Sequence, residues 1–451
     1  MLSVRWDGHP ASLAPSYAGS TVNSPHAEAQ APQGPSSTCA CPITLTAPGG
    51  SQQGRLVPDL DPVATLGEVG PLGGLVVADF SRVLAGPYLT MLLGDLGADV
   101  IKVERPDGGD DARHWGPPWD AEGRSTYFLS VNRNKRSLVL DLGEEADRGV
   151  ARRLVARADV VVENFLPGTM ERLGLGYEQL CRLHPRLVYC SISGFGAGEG
   201  RSLPGYDLLV QAVGGLMSVT GPAPDSPTKA GVALVDVLTG LHGAVAVLAA
   251  LRERDRSGKG QLISLNLLST LLSSLVNQAS SVVMAGVVPE PMGNRHPSVA
   301  PYELLETLDR PIALAVGNDR QFRSLCSVLE RDDLAGDPRF ATNPARVSNR
   351  DQLRQELEAA LGQHRAVEWV PVLSRRGIPS GLVNNVQEAL ALADSYGLGP
   401  VVQLPRAGSA PDRGVADPMG LSRTPVTYRR AAPGLGEHSE ELRDWLTSLP
   451  R

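Results

Sequence analysis

Beyond position 70 the apolar residues fall into two alternating kinds of segment. Leu75-Val-Val-Ala-Asp-Phe80 is a short continuous apolar run of buried-strand type. Gly86-Pro87 then opens a helix, with Pro in the first turn. That helix carries Leu89, Leu92, Leu93 and Leu96 at helical spacing and stops at Gly97. Asp99-Val-Ile-Lys-Val103 is the next strand. Strand, helix and strand in about 30 residues predict a βαβ unit, hence a parallel sheet with a right-handed crossover. The alternation continues with strands over 137–141, 159–163, 187–192 and 261–265. Helices are predicted over 145–156, 205–214 and 232–252, with one long helix over 266–285. The strands are rich in Val and Leu rather than alternating, as expected when helices cover both faces. The fold class is therefore α/β.

After Gly286 the pattern changes. Residues 287–301 are rich in Pro, Gly and Asn and predict a linker. Residues 302–400 alternate strands (302–307, 312–316) with helices (321–329, 350–361) and predict a second, smaller α+β domain. The final segment, 401–451, holds several prolines and ends in an amphipathic helix over 437–449. The large domain is thus expected over 71–286. Residues 1–70 contain no lysine and are rich in Pro, Ser, Gly, Ala and Gln. Such a composition cannot bury enough apolar surface to offset its ordering entropy, so a disordered tail, or translation from a start codon placed too far upstream, is expected there.

Charge narrows the function. Lys plus Arg is 42 and Asp plus Glu is 49, giving a net charge of −7. A mildly acidic chain is a poor candidate for non-specific nucleic-acid binding. Apolar runs are broken by Gly, Ser or charge before the ~18–20 residues that a membrane span needs. The five cysteines are scattered, which does not read as a disulfide framework, and Cys39-Ala-Cys41 lacks the second pair a zinc site needs. The N-terminus has no apolar core of signal-peptide type, so a cytoplasmic protein is expected.

Several familiar chemistries are missing. Gly194-Phe-Gly-Ala-Gly-Glu-Gly200 follows a strand but does not fit G-x-G-x-x-G, and no P-loop is present. Neither H-E-x-x-H nor G-x-S-x-G occurs, and the eight His are scattered. No metal and no resident cofactor are expected. Polar clusters do stand at strand ends: Glu104-Arg105-Pro106, Asn132-Arg-Asn-Lys-Arg136 and Glu163-Asn164-Phe165, with Arg172 beyond. Arg105, Lys135, Arg136 and Arg172 form either a solvated face or a cationic rim for ligand phosphates. One carboxylate, Asp236, sits alone at an apolar helix start flanked by Gly231, Gly240 and Gly243. A buried carboxylate without a partner costs several kcal/mol on typical estimates, so it is a cap or a functional group.

The run from Ala78 to Pro87, the run from Leu96 to Pro106, Asn132 to Ser137 and Val162-Glu-Asn-Phe-Leu-Pro-Gly168 closely resemble class III CoA-transferases, the CaiB/BaiF family. Gly205-Tyr-Asp207, Asp236-Val-Leu-Thr-Gly240, Gly258-Lys-Gly-Gln261 and Gly293 to Ser298 continue the resemblance over about 72–445. Residues 109–118 and Asn266-Leu-Leu-Ser269 are most similar to the succinyl-CoA:glutarate (dicarboxylate) branch. The resemblance implies a Rossmann-like large domain, a smaller domain and a homodimer whose two chains interlock as rings.

It also implies that Asp236 is the nucleophile. The carboxylate would attack an acyl-CoA donor, forming a mixed anhydride and then an aspartyl-CoA thioester that passes CoA to an acceptor acid. Coenzyme A enters as substrate, with succinyl-CoA the expected donor and a dicarboxylate the expected acceptor. By position, Leu84, Ala85, Arg105, Leu140, Asn164, Phe165 and Arg172 would contact CoA. Tyr206 and Asp207 would lie near the pantetheine end and the reacting centre. Formyl-CoA transferases have Gln at the position of Leu84 and a run of glycines where this chain has Met292-Gly293-Asn294. Arg113 is the candidate for gripping the far carboxylate of a diacid, or else an ordinary surface arginine. The alternative activity in the same superfamily is α-methylacyl-CoA racemase, which has His beside the Asp. Tyr206 stands there instead, and its unperturbed pKa near 10 makes it a poor base.

Overall fold

The computed structural model describes residues 70–448. The tail expected over 1–70, with Cys39 and Cys41, therefore lies almost wholly outside the described residues. The chain builds a six-stranded parallel sheet first. Its elements run β1 (Val76–Asp79), α1 (Ala85–Asp95), β2 (Asp99–Glu104), α2 (Thr126–Ser130), β3 (Lys135–Val139), α3 (Glu145–Arg157) and β4 (Val160–Glu163). Next come α4 (Thr169–Arg172), α5 (Tyr177–Leu180), β5 (Val188–Ser193), α6 (Asp207–Val213), α7 (Leu234–Ser257) and β6 (Leu262–Asn266). The strand order is β3-β2-β1-β4-β5-β6 and every pairing is parallel. The order reverses between β1 and β4. In open α/β sheets a ligand binds outside the strand C-termini at that switch point.

Successive residues of each strand go to opposite faces. Val77, Val100, Val160, Val162 and Ile192 form one core with α1 and α7. Ala78, Ile101, Val103, Leu138, Val161 and Tyr189 form the other with α3. Continuous apolar strands are thus used on both sides, as the composition requires. Near the chain end, α16 (Ser439–Thr447) adds Leu442 and Leu446 to the second core.

The segment expected as one helix over 266–285 is two: α8 (Leu267–Ser274) and α9 (Val276–Ala285), bent by 82°. Val276 takes φ +43° at the break. Leu267 and Leu271 of α8 are buried in the core, whereas α9 has no buried residue. Packing, not a Gly or Pro signal, sets this bend. The 24-residue α7 is, by length and composition, long and apolar enough to cross a membrane, which the breaks in the sequence did not suggest. Here Val235, Val247, Ala250 and Leu251 place one side of it in the core.

A three-stranded antiparallel sheet follows, from β7 (Tyr302–Leu305), β8 (Ile312–Ala315) and β9 (Ser380–Leu382). It packs with α10 (Asp319–Val328), α11 (Asp332–Gly336), α12 (Asn343–Ser348), α13 (Arg350–Leu361) and α14 (Ala366–Arg375) around its own core, including Phe322, Leu325, Phe340, Leu357 and Trp369. The chain then runs through α15 (Val386–Ser395) and the hairpin β10 (Val401–Leu404) and β11 (Asp412–Val415) to α16 (Ser439–Thr447).

Candidate active site

The turn after β1 is held from three sides. Asp79, wholly buried, accepts from Ser81 N (3.0 Å), from the Thr90 hydroxyl (2.7 Å) and from Lys135 Nζ (3.1 Å). Burial opposes its charge, but the Lys135 and Lys102 ammoniums win and hold its carboxyl below the usual range. Lys135 is itself pushed down to about 8 by burial, against the pull of Asp79. Lys102 Nζ donates to Ser81 O (2.9 Å) and pairs with Asp110 (2.8 Å). Asn164 clamps the backbone of Arg82, accepting from its N–H (2.8 Å) and donating to its carbonyl (2.7 Å).

Between these anchors Val83 adopts φ +71°. A β-branched residue there costs of order 1–3 kcal/mol. It is held because its N–H meets both oxygens of Asp110, at 3.1 and 3.2 Å. The strained turn delivers Leu84 and Ala85 to the wall of a cleft at the switch point.

Asp236 reaches the same cleft from α7. A Cβ on Gly240 would come within 2.8 Å of Ala85 O, and one on Gly243 within 2.2 Å of Leu89 Cδ1. The two glycines therefore let α7 lie directly on α1, against backbone at Gly240 and against the Leu89 side chain at Gly243. Asp236 is the third residue of α7 and does not cap it; the cap position is Ala233. No described residue hydrogen-bonds its carboxylate. It is 9% exposed, and burial together with the nearby Asp207 carboxylate pushes its pKa up to about 7. A helix N-terminus favours an anion, by about 0.3–1 kcal/mol at exposed sites. Desolvation is the larger effect here.

The cleft has a volume of about 270 Å³, and Arg82, Leu84, Asn164, Phe165, Arg201 and Tyr206 line it with Asp236. A second depression of about 250 Å³ adjoins it, sharing Arg82 and Phe165 and adding Arg105, Leu140 and Leu173. The Arg82 guanidinium lies 4.9 Å from the centre of the Phe165 ring, at the junction. Together the two make one groove from Arg105 to Asp236. Arg105 is exposed and paired with Asp111 at 2.5 Å. Tyr206 stands 61% exposed at the mouth.

Other sequence candidates lie elsewhere. Arg172 lines neither depression and donates to the Thr169 hydroxyl (3.0 Å). Asp207 is turned to the backbone of α7 rather than into the cleft. Arg113 forms a two-point pair with Glu104 (2.8 and 2.7 Å), donates to Pro433 O (3.1 Å) and stacks on Phe128 at 3.8 Å. It does not line the cleft of Asp236, because Glu104, buried, takes its charge. The cationic rim also dissolves. Lys135 and Arg136 start β3, at the opposite end from the strand C-termini; Lys135 serves Asp79, and Arg136 pairs with Asp99 and Glu441. Gly293 donates to Gly221 O (2.9 Å) and does not line the cleft.

Sequence reading missed four participants. Lys102 sits inside an apolar strand, Asp110 in an acidic loop, Arg201 in a Gly-rich turn and Arg82 in the turn after β1. Only the first carried a signal, since a lone lysine in a buried strand needs a partner.

A family model described as CoA-transferase family III matches residues 72–439. The succinate–glutarate CoA-transferase of Agrobacterium fabrum is 41% identical over 387 residues, 84% of this chain and 97% of that protein. The succinyl-CoA:glutarate CoA-transferase of Homo sapiens is 37% identical over 384 residues, 84% of this chain and 87% of that protein. A crystal structure of a CaiB/BaiF family protein from Brucella suis superposes with a TM-score of 0.76 at 41% identity, covering 84% of this chain and all of that one.

Proposed function

The chain belongs to CoA-transferase family III and is a CoA-transferase, and from that premise we propose how its own residues carry the transfer. Asp236 is the nucleophile. Its carboxylate attacks the thioester carbonyl of the donor, giving a mixed anhydride and CoA thiolate. The thiolate attacks the aspartyl carbonyl, releasing the donor acid and leaving an aspartyl-CoA thioester. The acceptor carboxylate attacks that thioester, CoA thiolate departs again and a second anhydride forms. Thiolate attack on the acceptor carbonyl then frees Asp236 and the new acyl-CoA. Each step exchanges one activated acyl bond for another, so the thioester free energy is retained and no ATP is consumed.

The observation that carries this reading is Asp236 itself: a buried carboxylate without a hydrogen-bond partner among the described residues, at the wall of a cleft at the sheet's switch point. A partly desolvated carboxylate is a stronger nucleophile than a fully hydrated one, and the fold meets the cost of that desolvation. CoA lies along the groove in this proposal, its nucleotide end near Arg105, Leu140 and Phe165 and its thioester near Ala85 and Asp236. Arg172 is left for the outer phosphates.

Succinyl-CoA as donor and a dicarboxylate as acceptor follow from the names of the relatives. The cations that the cleft presents for a far carboxylate are Arg82 and Arg201, and we assign the grip to them in place of Arg113. We also propose a homodimer. Apolar side chains stand exposed on α7 (Leu241, Val245), α6 (Leu208, Val213) and α9 (Val283 and Met284, each 84%). Such a patch marks a protein interface, and a second copy is the occupant proposed.

Hydroxylamine added during turnover traps the acyl-enzyme as a hydroxamate on Asp236, read by peptide mass spectrometry. Asp236→Asn abolishes exchange and retains CoA affinity. An unmodified Asp236 peptide in the presence of authentic thioester defeats the mechanism.

A further inference from the structure

Asp236 does not organise the start of its own helix; Asp207 does. Asp207 Oδ1 accepts from Val235 N at 2.8 Å and from the N–H of Asp236 at 3.3 Å. First-turn N–H groups have no partner within a helix, and no side chain at Ala233 supplies one. The other oxygen of Asp207 accepts from Gln211 Nε2 at 2.6 Å. Gln211 is fully buried, and its amide orientation is set because Oε1 accepts from Ala230 N at 2.8 Å. A relay therefore runs from the 230–232 segment through Gln211 and Asp207 to the backbone of the nucleophile.

We propose that Asp207 is a positioning residue of the transfer reaction, acting on the backbone of Asp236 rather than on substrate, with Gln211 fixing its orientation. This rests on the reading of Asp236 as nucleophile. Two consequences follow from the geometry. The direction in which the Asp236 side chain leaves α7 is tied to the position of Asp207. The Asp207 carboxylate also favours the protonated form of Asp236, in the same direction as burial. The other charged or titratable groups at this place are Arg82, Asp111, Arg201 and Tyr206 around the cleft, with the half-buried Tyr127 on α2 beside Asp236 and Asp207.

Asp207→Asn tests the relay because it is isosteric. Its amide places an N–H either against Gln211 Nε2 or against the Val235 N–H, so a donor meets a donor in both orientations. Gln211 cannot turn without breaking its bond to Ala230. The expected result is a fall in kcat of about 10-fold or more, with KM for acyl-CoA within about twofold. The acid limb of the rate profile moves to lower pH. The double variant Asp207→Asn with Gln211→Glu restores an acceptor opposite the new amide and moves the charge one link away. It is expected to regain most of kcat while keeping the shifted acid limb. An unchanged kcat in Asp207→Asn overturns the proposal, and so does a rise in KM that accounts for the whole loss. If the single variant fails to fold, the double variant decides: wild-type kcat and an unmoved acid limb overturn it. Hydroxamate trapping on wild-type Asp236, run in parallel, separates failure of this proposal from failure of the nucleophile assignment.

Discussion

Lys102 and Asp110 pair at 2.8 Å with neither side chain exposed. Around them Asp79, Lys135 and Glu104, all buried, and the partly exposed Arg113 complete a set of three acids and three bases. Asp110 also holds the N–H of the strained Val83. Removing one partner of a buried pair leaves an uncompensated charge and costs about 3–5 kcal/mol. Asp110→Ala is therefore expected to lower unfolding free energy by about that amount in urea titration. Exchange activity falls further than the folded fraction does, because Val83 loses its anchor. Activity per folded molecule equal to wild type would show that the turn keeps its shape unaided.

The pKa of about 7 at Asp236 sets a pH dependence with a definite sign. As the proposed nucleophile, Asp236 must be deprotonated to react, so kcat/KM is expected to rise with pH and level off above about 7. Stability runs the other way. The folded chain keeps the Asp236 proton to about pH 7, whereas the unfolded chain loses it near the ordinary carboxylate value. Stability therefore falls as pH rises through that window. Asp236→Asn removes the buried charge and is expected to be more stable than wild type at pH 8, on the order of 2–4 kcal/mol. The gap closes towards pH 4. Paired Tm measurements at the two pH values check this, and equal Tm values at pH 8 count against a desolvated carboxylate.

Arg201 and Arg113 are expected to separate cleanly. Arg201→Gln removes a cation from the cleft and should raise KM for a diacid acceptor about 10-fold, since bonds to charged groups are worth about 1.5–3 kcal/mol. A monoacid acceptor should be unaffected. Arg113→Gln instead leaves Glu104 without its ion pair and lowers stability, with little change in acceptor preference. A panel of mono- and dicarboxylates run against both variants reads the difference.

The exposed Val283 and Met284 on α9 give a test of assembly. Light scattering is expected to find a particle of two chains of 47.7 kDa each. Val283→Asp with Met284→Asp should shift it towards the monomer. A wild-type monomer at micromolar concentration would remove the proposed dimer.

Much of this was determined by local pattern. Continuous apolar runs of four to six residues separated by amphipathic helices specify a parallel sheet, because only burial on both faces accommodates them. The lone Asp236 in an apolar helix start was visible for the same reason. Local pattern could not decide which charges meet. Arg113, Lys135 and Arg136 look like ligand cations in one dimension, and each is matched to a carboxylate at least nine residues away. The bend at Val276 carries no Gly or Pro and follows from where α8 finds a core. Nor does any spacing announce that Asp207, 29 residues before Asp236, bonds its backbone. Strand and helix are set by neighbours in sequence, whereas ion pairs, caps and a nucleophile's surroundings are set by neighbours in space.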